Sequence, residues 1–360
     1  MPQVTDITDL ANATLAKYRK EMLAKAATTL QKHPAARRLL SKEGVILDGG
    51  DQYKWEILFE GDDNTSAVGL YEVDNLDQVN GTAEATIPWR YVQTGCHFDE
   101  RLISANAGAA RIFNFLKTKE EQMWTTFFEK IEEYVWDGNT TGSTDTKTPY
   151  GFFGYWFDYS GYSSGGFEGQ NHANWTSGPA GVSCSTYARH KHYLDNYSAV
   201  SDADLVRKLR KAYAFCGFQG IPNKPVADIS PEDRSYGIYT TYDVLSLLEE
   251  LLDSKNDSTV TGAKAAELAR IDGRTAFMRT EVEWVPYLQN NHATSDAVLG
   301  IDWNDVKIVA NDGEWMKETP YHPAPWQHRV KQRFVDCSFN VAMHTRRKHF
   351  MLAKSDPMSD

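Results

Sequence analysis

The chain has 360 residues, of which 24% are charged and 41% hydrophobic, and a formal net charge of -11. This composition excludes intrinsic disorder, leaves room for two or three domain-sized units, and argues against general nucleic-acid binding. No run approaches the roughly 18 apolar residues of a membrane helix, the N-terminus lacks a secretion signal, and Cys96, Cys184, Cys216 and Cys337 form no CxxC pair; the expectation is reduced thiols in a cytoplasm and no membrane partner.

Ile7, Leu10, Ala11, Thr14, Tyr18 and Met22 form a helical stripe that breaks at His33-Pro34, predicting an N-terminal arm over residues 1–48 whose apolar face needs a partner. Two runs of period-2 alternation follow. Tyr53, Trp55, Ile57 and Phe59 share one face of the first, and Ala83, Ala85, Ile87, Trp89 and Tyr91 one face of the second, with Arg90 opposite. The acidic stretch from Gly61 to Gly81 separates them, so residues 49–95 read as a projecting β-ribbon. A hairpin folded back on its own domain is the competing reading.

Within residues 96–149 the dominant element is a helix from Ala110 to Trp136, with apolar residues from Ile112 to Val135 at helical spacing and a polar middle, Lys117 to Gln122, expected to be solvated. Gly138 suits the left-handed residue that closes a helix.

Residues 139–181 are rich in Gly, Ser, Tyr and Trp, predicting loops held by aromatic anchors, with a Gly- and Trp-rich insertion at 158–175. A helix capped by Ser201, a strand at Tyr236, and a leucine-rich helix from Asp243 to Asp253 make an αβα middle domain within residues 150–274. Strands return over 275–360 at Glu281 to Leu288, Val306 to Val309, and Val335 to Met343. The class is α+β, with one sheet built from both ends of the chain and the middle domain inserted.

Chemistry-bearing motifs are sparse, with no GxGxxG, P-loop, HExxH or GxSxG. Cys184, His190 and His192 have no standard zinc spacing and read as a surface loop, and Cys96-His97 as a buried thiol on a strand end. The acid pairs Glu120-Glu121 and Glu132-Glu133 read as solvated helix faces, and the basic patch Arg346-Arg347-Lys348 as a solvated face or an ion-pair partner. No catalytic, cofactor or metal site is expected. Trp156 and Trp175 leave a carbohydrate-active protein as a reading from another class.

Tyr236-Gly-Ile-Tyr-Thr-Thr-Tyr-Asp-Val, Val282-Glu-Trp-Val-Pro-Tyr-Leu, Gly300-Ile-Asp-Trp, Gly313-Glu-Trp-Met-Lys-Glu, Val335-Asp-Cys-Ser-Phe-Asn-Val and Arg346-Arg-Lys occur together and in this order. With the order of elements they resemble the major capsid proteins of tailed double-stranded DNA bacteriophages, of Hong Kong 97 (HK97) coat fold, over most of Lys54 to Lys354. The resemblance implies an N-terminal arm, an extended loop lying on a neighbour, a peripheral domain with the long spine helix and a sheet, and an inserted axial domain. It implies self-assembly as hexamers and pentamers into an icosahedral or prolate shell around DNA, in a virion made in a bacterial cytoplasm. A separate scaffold, a portal and decoration proteins are implied partners; an encapsulin-like shell is the sister reading. Tyr53, Trp55, Trp89, Arg90, Tyr155, Trp156 and Trp175 are the expected assembly contacts. The Lys–Asn cross-link of some relatives has no assignable pair here, although Lys54 and Asn340 are of the right types.

Overall fold

The computed structural model describes residues 33–40, 45–59, 70, 81–105, 109–218, 235–257, 268–271 and 274–359. The Ile7 to Met22 stripe and, apart from Leu70 and Gly81, the acidic ribbon tip lie outside them.

Pro34 sits in the first turn of helix α1 (Pro34–Leu39), where its missing amide hydrogen costs nothing. After β1 (Val45–Asp48), β2 (Gln52–Leu58) pairs antiparallel with β3 (Thr82–Pro88), from Gln52↔Pro88 to Leu58↔Thr82. The alternation predicted for β2 holds, but that of the second run fails at Pro88. Proline cannot donate to a ladder, and beyond it β4 (Arg90–Asp99) enters a different sheet. Trp89 and Arg90 are both buried and Tyr91 is exposed, so the single predicted strand is two strands with exchanged faces.

Helix α2 (Glu100–Ala105) leads to α3 (Ala109–Asp137), whose 29 residues span roughly 43 Å. Its apolar stripe, including Leu116, Trp124, Phe127, Phe128, Ile131 and Trp136, is buried as predicted. The polar middle is not uniformly solvated, because Glu120 is buried, as is Glu132 further along. Gly138 does not adopt a left-handed conformation. Instead, a Cβ there would collide with the Gly151 nitrogen and the Pro149 carbonyl oxygen. The returning chain runs against the helix end, with the Phe152 and Phe153 amides donating to the Val135 and Trp136 carbonyls at 2.7 and 2.9 Å. Glycine is needed for close backbone approach.

Residues 139–192 are loops and short turns anchored by buried Tyr150, Phe152, Phe153, Tyr155, Trp156 and Phe157, as expected. β5 (Tyr193–Asn196) precedes a turn of π-helix and α4 (Arg207–Cys216). Ser201 makes no side-chain cap; the Asp204 carboxylate accepts the Ser198 and Ala199 amides instead, at 2.7 and 3.0 Å. Next come β6 (Tyr236–Thr240), α5 (Tyr242–Asp257), β7 (Leu268–Ile271), β8 (Arg274–Phe277) and β9 (Thr280–Trp284). The predicted strand through Leu288 stops at Trp284, because Pro286 opens helix α6 (Pro286–Asn291). The chain closes with β10 (Val298–Asp302), β11 (Val306–Asn311), β12 (Lys317–Glu318), β13 (His322–Ala324), β14 (Gln327–Met343) and β15 (Phe350–Ala353).

Two main sheets result. In the first, the order is β1-β11-β14-β12, and β4 and β13 also pair with β14. β1 is parallel to β11 (Val45↔Ile308), and β4 pairs with β14 at ten positions, from Arg90↔Phe339 to Asp99↔Val330. This sheet takes strands from both ends of the chain, as the sequence implied. The second has the order β5-β15-β10-β6-β9-β8-β7. It takes β9, β10 and β15 from the last segment, residues 275–360, so the αβα segment does not close on itself. α3, the first sheet and the aromatic loops share the larger core; α4 and α5 cover the second sheet around Leu209, Tyr213, Val244, Leu248 and Phe350.

Candidate assembly surfaces

The β2–β3 stem lies on the body of its own chain. Phe59 stacks on Tyr187 at 4.7 Å, and the Arg189 guanidinium donates to the Phe59 carbonyl at 2.8 Å. Tyr53 and Trp55 meet His344, which follows β14, with ring centroids 6.1 and 5.4 Å away, and the Tyr53 hydroxyl lies 3.0 Å from His344 Nε2. On its outer face Lys54 pairs with Glu84 at 2.7 Å. The described stem is therefore a hairpin folded onto its own domain. Beside it opens a cleft of about 660 Å³, lined among others by Trp55, Leu58, Phe59, Arg189, His344 and Arg347.

Of the seven predicted contact residues, Tyr53, Trp55 and Trp175 keep part of their surface in solvent, whereas Trp89, Arg90, Tyr155 and Trp156 are buried within the chain. Trp89 Nε1 donates to the Gly50 carbonyl at 2.8 Å and holds the bend between the two sheets. The Arg90 guanidinium donates to the Thr146 carbonyl and to the Tyr150 hydroxyl. Tyr150 and Tyr155 stack at 3.8 Å, and Trp175 meets both edge-on. Trp156 has no exposed surface, and its Nε1 donates to the Val341 carbonyl. Burial removes these four from direct contact with a neighbour, and it removes Trp156 from any sugar-binding face. Density of aromatic residues in the sequence marked this cluster correctly but did not say which side of the surface it occupies.

The groups considered for chemistry are structural. Cys184, His190 and His192 are buried rather than on a surface loop, and among the described residues no cluster of His, Cys, Asp or Glu suits a metal ion. Arg346, predicted to lie on a solvated face or in an ion pair, is fully buried and ties that region together. Its Nε donates to the Trp156 carbonyl at 2.8 Å, Nη1 to Cys184 Sγ at 2.9 Å, and Nη2 to the Gln170 carbonyl at 3.1 Å and His192 Nδ1 at 3.0 Å. Burial pushes the histidines toward the neutral form, His190 down to about 3, with the Arg346 charge acting in the same direction. Burial also pushes the Cys216 and Cys337 thiols up to about 12 and raises Cys96, which contacts the Tyr321 hydroxyl at 3.2 Å. These three thiols are therefore poor nucleophiles at neutral pH. Asn340 is buried, its side-chain oxygen accepting the Tyr150 amide at 2.8 Å and its nitrogen donating to the Pro88 carbonyl at 3.0 Å.

Two buried carboxylates hold the long helix to its neighbours. Glu120 accepts from Arg333 Nη1 at 2.6 Å and from the Tyr321 hydroxyl at 2.9 Å, while Arg333 Nη2 pairs with Glu318. Glu132 accepts the Ala36 and Ala35 amides at the start of α1, and Trp136 Nε1 at 2.7 Å. Adjacent acids in a helix gave no sequence signal that one of each pair points inward.

No protein-family model matches the sequence, and no curated protein matches it. The three-dimensional structure does have a counterpart. It superposes on a chain of the cyanophage A-1(L) capsid with a TM-score of 0.59 at 12% identity, covering 89% of this chain and 92% of that one. The chain has the fold of a phage capsid subunit. Looser likenesses are to the capsid of Myoviridae phage XM1 (TM-score 0.48, 10% identity, 88% and 91% covered) and an encapsulin complex from Synechococcus elongatus (0.47, 9%, 89% and 90%). Among the described residues no helix is long and apolar enough to cross a membrane.

Proposed function

We propose that this chain is a non-enzymatic major capsid protein of HK97 type. Copies assemble as hexamers and pentamers into an icosahedral or prolate head that encloses double-stranded DNA without reading its sequence. The observation that supports this most is the capsid-subunit fold shared over nearly the whole chain. In this reading α3 is the spine helix, the first sheet belongs to the peripheral domain, the second sheet with α4 and α5 forms the axial domain, and the segment beyond the ribbon stem and the N-terminal arm reach neighbours. Scaffold, portal and decoration proteins are the accessory partners, and the virion is the destination of a subunit made in the bacterial cytoplasm. The buried, hydrogen-bonded polar groups serve packing, which suits a shell subunit whose work is done by surfaces.

The test is electron microscopy and light scattering of the purified chain, alone and co-expressed with its genomic neighbours. Closed shells or capsomer rings are expected. A monomer under every condition would overturn the proposal, and shells filled with a protein cargo instead of DNA would move it to a nanocompartment.

A further inference from the structure

The β13–β14 hairpin ends in an unusual tip. Ala324 pairs with Gln327 across the two-residue turn Pro325–Trp326, and Trp326 has φ 68. Proline followed by a left-handed residue is the pattern of a type II turn, whose second central position ordinarily belongs to glycine. Here it holds the bulkiest side chain, and that side chain is completely exposed, at 102% of its reference surface. A large residue kept in a strained conformation, with its whole apolar surface in water, points to a role outside the folded subunit.

The hairpin carries Trp326 at its tip, beyond a shift in register between Pro323↔Lys331 and Ala324↔Gln327. β14 pairs with β4 from Val330↔Asp99 onward, so Gln327, His328 and Arg329 extend beyond the end of β4. Just behind them Lys331 pairs with Glu100 at 3.4 Å, and Arg333 is held by Glu120 and Glu318. From Thr319 to Val335 there is no acidic residue, in a chain of net charge -11.

We propose that Trp326, with Arg329 three residues on, is an anchor that inserts into an acidic-rimmed surface of a second copy of this chain. Exposed tryptophan with an arginine three residues on is the residue chemistry of interface hot spots, and an arginine with no ion pair among the described residues complements a second copy of net charge -11. A nucleic-acid backbone fits less well. Lys331 and Arg333 are already neutralised by carboxylates, which leaves Arg329 as the one cation of the tip without an ion pair among the described residues, whereas phosphate-backbone binding draws on many. The contact joins two different surfaces, the heterologous kind that closes rings and shells.

The inference rests on the shell reading above, and the test separates the two. Trp326→Gly, Trp326→Phe and Arg329→Glu are compared with the natural chain for thermal melting of the subunit and for the protein concentration at which assembly begins. Glycine suits the turn, so Trp326→Gly should melt at the same temperature or higher, yet need at least about tenfold more protein to assemble. Arg329→Glu should shift the threshold in the same direction, and Trp326→Phe should stay near the natural chain. Assembly of Trp326→Gly at the natural threshold would overturn the anchor while leaving the shell reading intact. Unchanged assembly with loss of salt-sensitive binding to a duplex DNA fragment in Arg329→Glu would reassign the tip to nucleic acid. A natural chain that never assembles would overturn both.

Discussion

The Glu132 carboxylate accepts the Ala36 amide at 2.6 Å, joining the long helix to a segment 96 residues earlier in the chain. Glu132 is enclosed, and burial pushes its pKa from 4.5 up to about 7 against the pull of the Trp136, Ala36 and Ala35 donors. The nearby Glu283, itself paired with Arg37 at 2.7 Å, adds to the rise. Folding thus takes up a proton between pH 4.5 and about 7. The contribution of this group favours the native state at the acidic end and is lost as pH rises through about 7, a span worth about 3 kcal/mol. Urea denaturation at pH 5 and pH 8 should show that loss, and Glu132→Gln should remove most of the difference between the two. An equal difference in the variant would place the proton elsewhere.

Arg333 neutralises Glu120 inside the structure. Arg333→Met should cost about 3–5 kcal/mol in chemical denaturation, because it leaves Glu120 a buried charge without its cation. The double variant with Glu120→Leu should recover much of that loss. Failure of the second change to compensate would mean that the pair is not the reason for the first effect.

Two glycines that both end helices should respond differently to alanine. Gly217 has φ 63 and open space around its α-carbon, so Gly217→Ala should cost about 1–2 kcal/mol in conformational strain alone. Gly138 lacks a positive φ, but a methyl group there strikes the backbone of residues 149–151. Gly138→Ala should cost more than Gly217→Ala, at least about 3 kcal/mol. Calorimetric melting of the two variants side by side checks the order.

Deleting residues 61–80 and closing the turn should leave a folded subunit, since the β2–β3 register is complete from Gln52↔Pro88 to Leu58↔Thr82 and the stem packs on its own domain. Under the shell proposal the same deletion should stop assembly. Circular dichroism with electron microscopy reads both. An unfolded deletion variant would show that the tip supports its own domain, and normal shells would show that it reaches no neighbour.

The elements that depend on local pattern were legible in the sequence: the long helix from its apolar stripe, β2 from its alternation, and the loop-rich aromatic region from its composition. What escaped was set by distant partners. Glu120 and Glu132 look like any solvated acids until Arg333 and the α1 amides are brought to them. Arg346 sits in a basic triplet, yet its neighbour in space is Cys184. Pro88 and Pro286 carried a signal that periodicity overrode, one marking a change of sheet and the other the start of a helix. Burial of Trp156 and partial exposure of Trp175 depend on how a loop of more than forty residues folds back, which no spacing rule encodes.

Strand β14 is the centre of the first sheet, and its partners are drawn from residues 90–99 and 306–324, while β1 waits for β11 and β5 waits for β15. The first sheet cannot be completed until β14 has left the ribosome, nor the second until β15 has, since Val45 meets Ile308 and Tyr193 meets Phe350. Such long-range pairing makes folding slow. Under the shell proposal, a nascent chain that has not yet reached β15 lacks the finished surfaces through which copies would meet.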